Sequence, residues 1–484
     1  MLYGLALITC HSDFMIHENN IVASVESSYG ITFDSYVEVA IVGAGACGLT
    51  AALAAKEKTD EIIILERDAS PSGSTSLSSG FIPAAGTKIQ KEKGIADSAE
   101  VFVEDITKKA DGMQSRELTN IVAYQCGKVL DWLALKHEIN WNILDKFLYP
   151  GHAFHRMHAV EEKTGVGLIN RLLAALDRAG IPISTNSLVD TIYMCDDRVQ
   201  GLRVTRPNGI HEYIKCGNLI LACNGYGANK ELLRKFIPEM SEALYFGHSG
   251  NQGHAVLWGE QLNAKIKHMS GFQGHGSVAI PHGILITWAL MMEGGIQINQ
   301  KGYRFSNENN GYSEQSVHVL TQPDQVAWVI YDEKLHTLGK EFPDYNQALN
   351  SGAIKSAKNA SELADLIGVD KAGFEKTLQD VRSFARNEKS DPYGREFKRE
   401  LVSKDKLFGI KVTGALFHTQ GGLMVNDKAQ VLRSDGTSIA NLFAGGGAAC
   451  GVSGPDVSGY LSGNGLLTAL TLGWLAGQNI FCHE

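Results

Sequence analysis

The chain has 484 residues, too many for one hydrophobic core, so two or three domains are expected. Composition is that of an ordinary globular protein apart from 52 glycines, and a net charge of −9 argues against nucleic acid as the main partner. None of the eight cysteines forms Cys-x-x-Cys or Cys-x-x-Cys-His, which leaves zinc ribbons, iron–sulfur runs and attached haem without support; scattered cysteines in apolar settings suit a reducing cytoplasm.

Leu2 to Cys10 are apolar but short, and no Lys or Arg precedes them, so a secretory signal is not expected. No other run reaches transmembrane length. Residues 1–36 read as a partly ordered arm, or Met15 as the true start. The stretch that organises the chain comes next. Val39 to Val42 reads as a buried parallel strand. Gly43, Gly45 and Gly48 follow as G-x-G-x-x-G, Leu49 to Lys56 is helical, and a second apolar strand, Ile62 to Leu65, ends at Glu66, eighteen residues beyond Gly48. Gly43 allows a tight turn, Gly45 lets backbone approach a pyrophosphate, and Gly48 lets helix and strand pack closely. The helix N-terminus then faces phosphates, and Glu66 can accept from a ribose hydroxyl. A glycine motif alone is only a turn; strand, glycines, helix, second strand and acid in this order read as dinucleotide binding.

Pro71 to Gly86 is a Ser/Gly-rich loop, either a flexible linker or backbone covering a flat ring. Ser98 to Ile139 is helical by pattern. Tyr149, His152, Phe154, His155 and His158 form an aromatic and imidazole cluster, a pocket wall or ordinary surface histidines. Thr164-Gly-Val-Gly opens a helix to Ala179; strands follow near Ile183, at Val199 to Val204, and at Leu219, the last ending in a Gly turn. From about 263 to 415 the βα rhythm breaks. This reads as an inserted second domain, the alternative being one α/β domain with long loops. The expected division is 1–36, 37–262, 263–415 and 416–484. Glycines resume at Gly421, Asn441 to Gly447 is a strand entering a loop, and Ser462-Gly-Asn-Gly starts a final apolar helix whose N-terminus is a second anion- or oxygen-binding position.

Together these features resemble the flavoprotein superfamily of fumarate reductase and 3-ketosteroid dehydrogenases, from about Val37 to Gly477. The markers are Gly43-x-Gly45-x-x-Gly48, Glu66, Gly73-Ser-Thr75 with Ser79-Gly80, Ala222 to Gly227, Arg304-Phe-Ser-Asn307-Glu308, His418-Thr-Gln-Gly421-Gly422 and the Gly445 to Gly465 tail. The resemblance implies an α/β, Rossmann-like FAD-binding domain of the glutathione-reductase type with an inserted α+β cap, and FAD rather than NAD. Cofactor contacts then fall to Gly43, Gly45, Ala46, Cys47, Gly48, Glu66, Arg67, Gly73, Ser74, Thr75, Ser79, Gly80, Ala222, Gly225, Gly446, Gly447, Ser462, Gly465 and Leu466. Some relatives attach flavin through a His in the Ser/Gly loop; Ser74 stands there, which implies non-covalent FAD.

The departures narrow the reading. Where the fumarate reductase pattern has a relay Glu and Arg, this chain has Trp288 and Met291. The acid Arg after R-F-x-N-E is Tyr312, and the late carboxylate-clamping Arg is Tyr460. His275 and His418 persist at the family's substrate-binding histidines. A dicarboxylate needs fixed positive charge with bidentate geometry, so fumarate and succinate are not expected, whereas a single carboxylate stays open through Arg156 or the histidines. Tyr312, Tyr460 and Ser462 look like the Tyr…Tyr-x-Ser arrangement of 4-ene-forming 3-ketosteroid dehydrogenases, although Tyr312 as core packing and Tyr460 as a helix-capping aromatic are the plain alternatives. The expectation is an FAD-dependent dehydrogenase acting beside a ketone. Tyr312, Tyr460, Ser462 and His418 are its catalytic set, and His275, Tyr149 and Trp288 line the substrate. Its partners are a small-molecule ketone and a small electron acceptor, a quinone or similar. An ene-reductase running the chemistry backwards is the second reading, and a flavin-binding protein without catalysis the third.

Overall fold

A computed structural model describes residues 23–145, 148–401 and 406–481. The readings placed on Leu2 to Cys10 and on Met15 lie outside these residues. Ser35–Val42 lies inside a nine-stranded sheet, parallel to Ile62–Leu65 on one side and to His211–Leu221 on the other. Ser438–Ala444 pairs parallel with the end of His211–Leu221, which returns the chain to this sheet after the long excursion between. Residues 24–27 of the expected arm form a strand parallel to Leu188–Cys195 at the sheet edge.

The helix Ala46–Ala55 is buried along its whole length because it is sandwiched between this sheet and the last helix, Asn464–Gln478. Glycines make that approach possible. A Cβ at Gly473 would strike the Cys47 carbonyl, and one at Gly48 would strike the Gly43 carbonyl. Gly43 itself has φ +104°, and its Cβ would lie 2.6 Å from the Ala222 carbonyl oxygen. The turn therefore needs glycine on both conformational and steric grounds.

A second sheet of seven strands is centred on Leu407–Thr419, flanked by Phe272–Ala279 and Val326–Asp332. One core on it gathers Ile286, Trp288, Met291, Tyr331 and Phe408. The other gathers Ile298, Trp328, Phe374 and Leu378, under the helices Ala360–Ile367 and Lys371–Ala385. This is an α+β unit set into an α/β chain. Its sheet takes in Leu244–Tyr245 and runs on to Thr419, while Leu262 and Ala264 pack in the first core. Leu407–Thr419 thus carries the chain from the second unit back to the first, and its last residues reach the site. Between Pro71 and Gly86 the chain forms a short helix, Gly73–Ser76, and a strand, Ile82–Pro83, paired with Met157–Ala159. Among the described residues no helix is long and apolar enough to cross a membrane.

Candidate active site

Three segments bring the aromatic site together. Tyr312 is the first residue of the helix Tyr312–Leu320. Tyr460 and Ser462 stand in the turn before the last helix. His275 lies on Phe272–Ala279, whose register against Leu407–Thr419 shifts on both sides of it. Such irregularities re-aim side chains beside functional sites. The Tyr312 hydroxyl donates to Ser462 Oγ at 3.1 Å. His275 stacks on Tyr312 with ring centres 4.8 Å apart; Trp288 meets His275 edge-on at 5.6 Å, and Tyr460 meets Tyr312 edge-on at 6.2 Å. Tyr149 packs edge-on against Phe81 at 6.2 Å. The packing alternative for Tyr312 therefore accounts for its ring but not for its directed hydroxyl.

Burial dominates the electrostatics of this group. It pushes the Tyr312 phenol up to about 12, partly offset by the Ser462 hydrogen bond. Burial also raises Tyr460 well above its ordinary value, with Tyr312 adding to the rise and the backbone at Gly463 and Gly465 opposing it. Both hydroxyls keep their protons near neutral pH. Hydrogen bonds from the backbone at Gly463 and Gly465 oppose the Tyr460 rise without reversing it. His275 is driven down to about 3 by burial and is neutral.

His418 joins a different set of side chains. Gln420 Nε2 donates to its Nδ1 at 2.8 Å, so its Nε2 carries the hydrogen and donates to Asn224 Oδ1 at 3.1 Å. Ser453 holds Gln420 Oε1 at 2.9 Å, and Asn464 holds Ser453 at 3.0 Å. The imidazole faces glycine: a Cβ at Gly447 would lie 2.9 Å from its Nε2, and one at Gly465 3.9 Å from the ring. Burial takes it down to about 4.

The nucleotide side is built from backbone. The helix Ala46–Ala55 starts at Gly45 and the last helix at Gly463, and neither N-cap residue has a side chain to cap its helix. Glu66 accepts from the Ala44 N–H at 2.8 Å and the Asp68 N–H at 3.0 Å; Thr75 Oγ1 accepts from the Ala46 N–H at 3.1 Å. Ser74 Oγ accepts from Asn224 at 3.0 Å and Asn251 at 2.8 Å, leaving its own proton to donate outward. Arg67 pairs with Asp68 at 3.0 Å beside Gly250. Gly80 packs against the Thr164 carbonyl and Gly225 against the Thr419 hydroxyl, while Cys47 backs Gly445 and Gly446. Two helix starts with glycine N-caps and open backbone at Gly45 fit a pyrophosphate and a ring oxygen.

Sequence reasoning missed Asn224, Asn251, Gln420 and Ser453, which orient the named residues. Asn224 has φ +66°, so its turn role was visible in Asn224-Gly, but not its two side-chain contacts. It also offered Arg156 as a carboxylate ligand, and the structure corrects this. Arg156 is fully buried and spent on Asp97 and Asp105, each at 2.9 Å. The surface alternative falls for His152 and His158, while His155 is half-buried. His152 donates to the Ser462 carbonyl at 3.1 Å, and His158 sits between Thr87 and the Arg156 carbonyl. Met291 fills the second unit's core, and its carbonyl accepts from Arg395 at 2.7 Å. A surface cleft of about 370 Å³ between His137, Asn170, Arg171 and Arg178 includes none of the motif residues.

These histidines predict an acid-sensitive fold. Burial takes His152 down to about 3 and His158 to about 4, as it does His275 and His418. Each favours its neutral form when folded, so its contribution is complete above the unfolded value of about 6.5 and is lost as pH falls toward the folded values. At pH 5 each costs about 2 kcal/mol. The thermal midpoint should drop steeply from pH 7 to 5; a flat profile would contradict the buried, neutral assignment.

Comparison with known proteins agrees with this layout. Residues 38–466 match the family described as FAD binding domain (FAD_binding_2). The probable fumarate reductase Ifc3 of Shewanella frigidimarina is 28% identical over 449 residues, which cover 92% of this chain and 75% of that protein. The open conformation of a flavocytochrome c3 fumarate reductase superposes with a TM-score of 0.79 at 27% identity, over 93% of this chain and 78% of the other. A 3-ketosteroid-delta4-(5alpha)-dehydrogenase from Rhodococcus jostii RHA1, in complex with 4-androstene-3,17-dione, shares the fold with a TM-score of 0.75 at 22% identity, over 94% and 99% of the two chains. With the nucleotide cradle and the family match on the same residues, the chain belongs to the FAD binding domain family and is an FAD-dependent oxidoreductase of the fumarate reductase kind.

Proposed function

We propose that this oxidoreductase introduces a C=C bond beside a ketone, in a 3-ketosteroid or a smaller cyclic ketone. The observation that carries the reading is the Tyr312–Ser462 hydrogen bond beside Tyr460 and the neutral His275, at positions where the dicarboxylate pattern has arginines. The cation at the edge of this group, Lys109, is already paired with Glu314. Two substrate carboxylates would therefore be desolvated without partners.

Non-covalent FAD would be held by the helix start at Gly45 and Ala46, by Glu66 at a ribose hydroxyl, and by the outward proton of Ser74. Bound FAD supplies the acceptor for the hydride leaving the β carbon. The chain's own residues handle the rest. A phenol donating to the ketone oxygen acidifies the α carbon and stabilises charge developing on that oxygen. The α proton enters the chain of Tyr460, Tyr312 and Ser462 hydroxyls as the accepting hydroxyl gives up its own proton to the next, so one proton enters the chain and one leaves it. Trp288, Tyr149 and His275 form apolar walls that exclude water, and His418 fixes the glycine-lined side. A small quinone-like acceptor then reoxidises the enzyme, in the cytoplasm.

The raised phenols also favour a second reading. Hydroxyls that hold their protons can protonate an α carbon, which is what reduction of an enone requires. The deciding experiment is anaerobic mixing of the yellow holoenzyme with the saturated counterpart of 4-androstene-3,17-dione, the ligand of the steroid relative. The flavin's visible bands should bleach. Fumarate should reoxidise the reduced enzyme slowly; rapid turnover with fumarate and a viologen donor would overturn the neutral-substrate reading.

A further inference from the structure

The proposed chemistry strips a proton from carbon in a buried site, and its first acceptors cannot keep it. Tyr460 and Ser462 are buried and Tyr312 is half-buried, and Trp288 and Met291 occupy the positions of a charged relay. One side of the group does lead outward. Tyr312, Tyr460 and Ser462 share a small chamber with Glu314, Lys109 and Pro150. Its free volume is about 10 Å³, close to the least that holds one water molecule.

Glu314 is built into this chamber. It lies two residues beyond Tyr312 on the same helix, and its carboxylate folds back over Gly311, where any Cβ would strike Oε2. One oxygen, Oε1, meets Lys109 Nζ, which also donates to the Asn310 carbonyl at 3.1 Å. The other, Oε2, is buried and has no hydrogen-bond partner. The pair is not sealed in. The side chains of Lys109 and Glu314 remain 17% and 13% exposed, so it spans the boundary between chamber and solvent.

We propose that Glu314, poised by Lys109, is the proton outlet of the site. It takes the proton delivered through Tyr312 and Ser462 and passes it to solvent along the Lys109 edge. The proton balance is simple: the carboxylate becomes a carboxylic acid, and that acid releases its proton to water. The facing charges suit a group that must take up and release a proton. Burial raises Glu314 first, Asp456 adds to the rise, and Lys109 opposes it. The inference rests on the dehydrogenase reading, because the proton's source is the substrate's α carbon. The competing role is a clasp: Lys109 and Glu314 are 205 residues apart and join the first unit to the second.

The test uses holoenzyme variants and a readout independent of activity. In pH-difference infrared spectra, the parent should show a buried carboxyl C=O signal titrating above the ordinary Glu value of about 4.3. Glu314→Gln should remove it, and Lys109→Met should move it to higher pH. In stopped flow, with the saturated counterpart of 4-androstene-3,17-dione as probe, Glu314→Gln should slow flavin reduction about 10-fold to 100-fold, toward the lower end of general acid–base effects. Formate should restore Glu314→Ala in a saturable manner, which a clasp could not explain. FAD content and reoxidation by ferricyanide should be unchanged. The outlet is overturned if Glu314→Gln reduces its flavin at the parent rate while Tyr312→Phe is slow. It is equally overturned if formate does nothing while Lys109→Met is as slow as Glu314→Ala. If the steroid leaves the parent flavin oxidised, the steroid reading fails separately, and absence of the Glu314-dependent infrared signal then overturns the outlet by itself.

Discussion

Tyr460→Phe holoenzyme should reduce its flavin about 10²–10⁴-fold more slowly than the parent when mixed with a saturated cyclic ketone, the range typical of a lost general acid–base group. Its FAD content should not change. Phe keeps the ring, which is buried and packed edge-on against Tyr312, so the cavity and stability terms are small. What disappears is the hydroxyl at the start of the last helix, whose raised value the backbone at Gly463 and Gly465 opposes. Tyr312→Phe should slow the reaction comparably, because it breaks the 3.1 Å link to Ser462 and strands whatever proton Tyr460 receives. Ser462→Ala should cost less, since water can replace a hydroxyl. Reoxidation by an artificial acceptor should be untouched in all three, because electrons leave without these protons. Anaerobic stopped-flow absorbance reads each step; a Tyr460→Phe enzyme bleaching at the parent rate would return both tyrosines to packing.

Glu308→Ala should destabilise the second unit by about 3–5 kcal/mol, the cost of leaving buried charges without their partner. Glu308 is 1% exposed and accepts from Arg304 at 2.7 Å, from Arg395 at 2.9 Å and from the Gln297 N–H at 3.0 Å. Burial alone would raise its pKa; the Arg395 and Arg304 guanidiniums overcome that and bring it to about 2. Asp391, bound to Arg304 at 2.6 Å, neutralises part of the cluster, but from Arg395 it accepts the backbone N–H at 2.9 Å, whereas Glu308 accepts the guanidinium. The folded value is depressed. This stability is therefore present above the unfolded value of about 4.3 and fades as pH falls toward 2. Urea unfolding at neutral pH should show the loss as a lower midpoint. The site should suffer too, because Glu308–Asn310 is the turn that delivers Gly311 and Tyr312, and Arg395 holds the Met291 carbonyl near Trp288. An unfolding free energy within about 1 kcal/mol of the parent would show that the cluster is not the staple its geometry describes.

By itself the sequence determined the nucleotide cradle and singled out the three hydroxyls, Tyr312, Tyr460 and Ser462, that the fold brings together. Both follow from short-range constraints. Gly43 needs a positive φ and Gly48 a missing Cβ within one turn, Glu66 closes the second strand of the same unit, and Tyr460 and Ser462 lie two residues apart before a helix. Tyr312 was legible because it stands four residues beyond the Arg304 to Glu308 marker. Tertiary structure alone decided which charges are free and which protons are fixed. Arg156 looked available until Asp97 and Asp105 met it in the interior. His418 could have been acid, base or ligand until Asn224 and Gln420, one of them 194 residues away, set its tautomer. Glu314 was one more helical acid until Lys109 and the hydroxyl chamber closed around it. The physical reason is one of range. Backbone geometry is imposed by neighbours in the chain, whereas ionisation and hydrogen-bond direction are set by whatever the fold brings alongside and by how much water it removes.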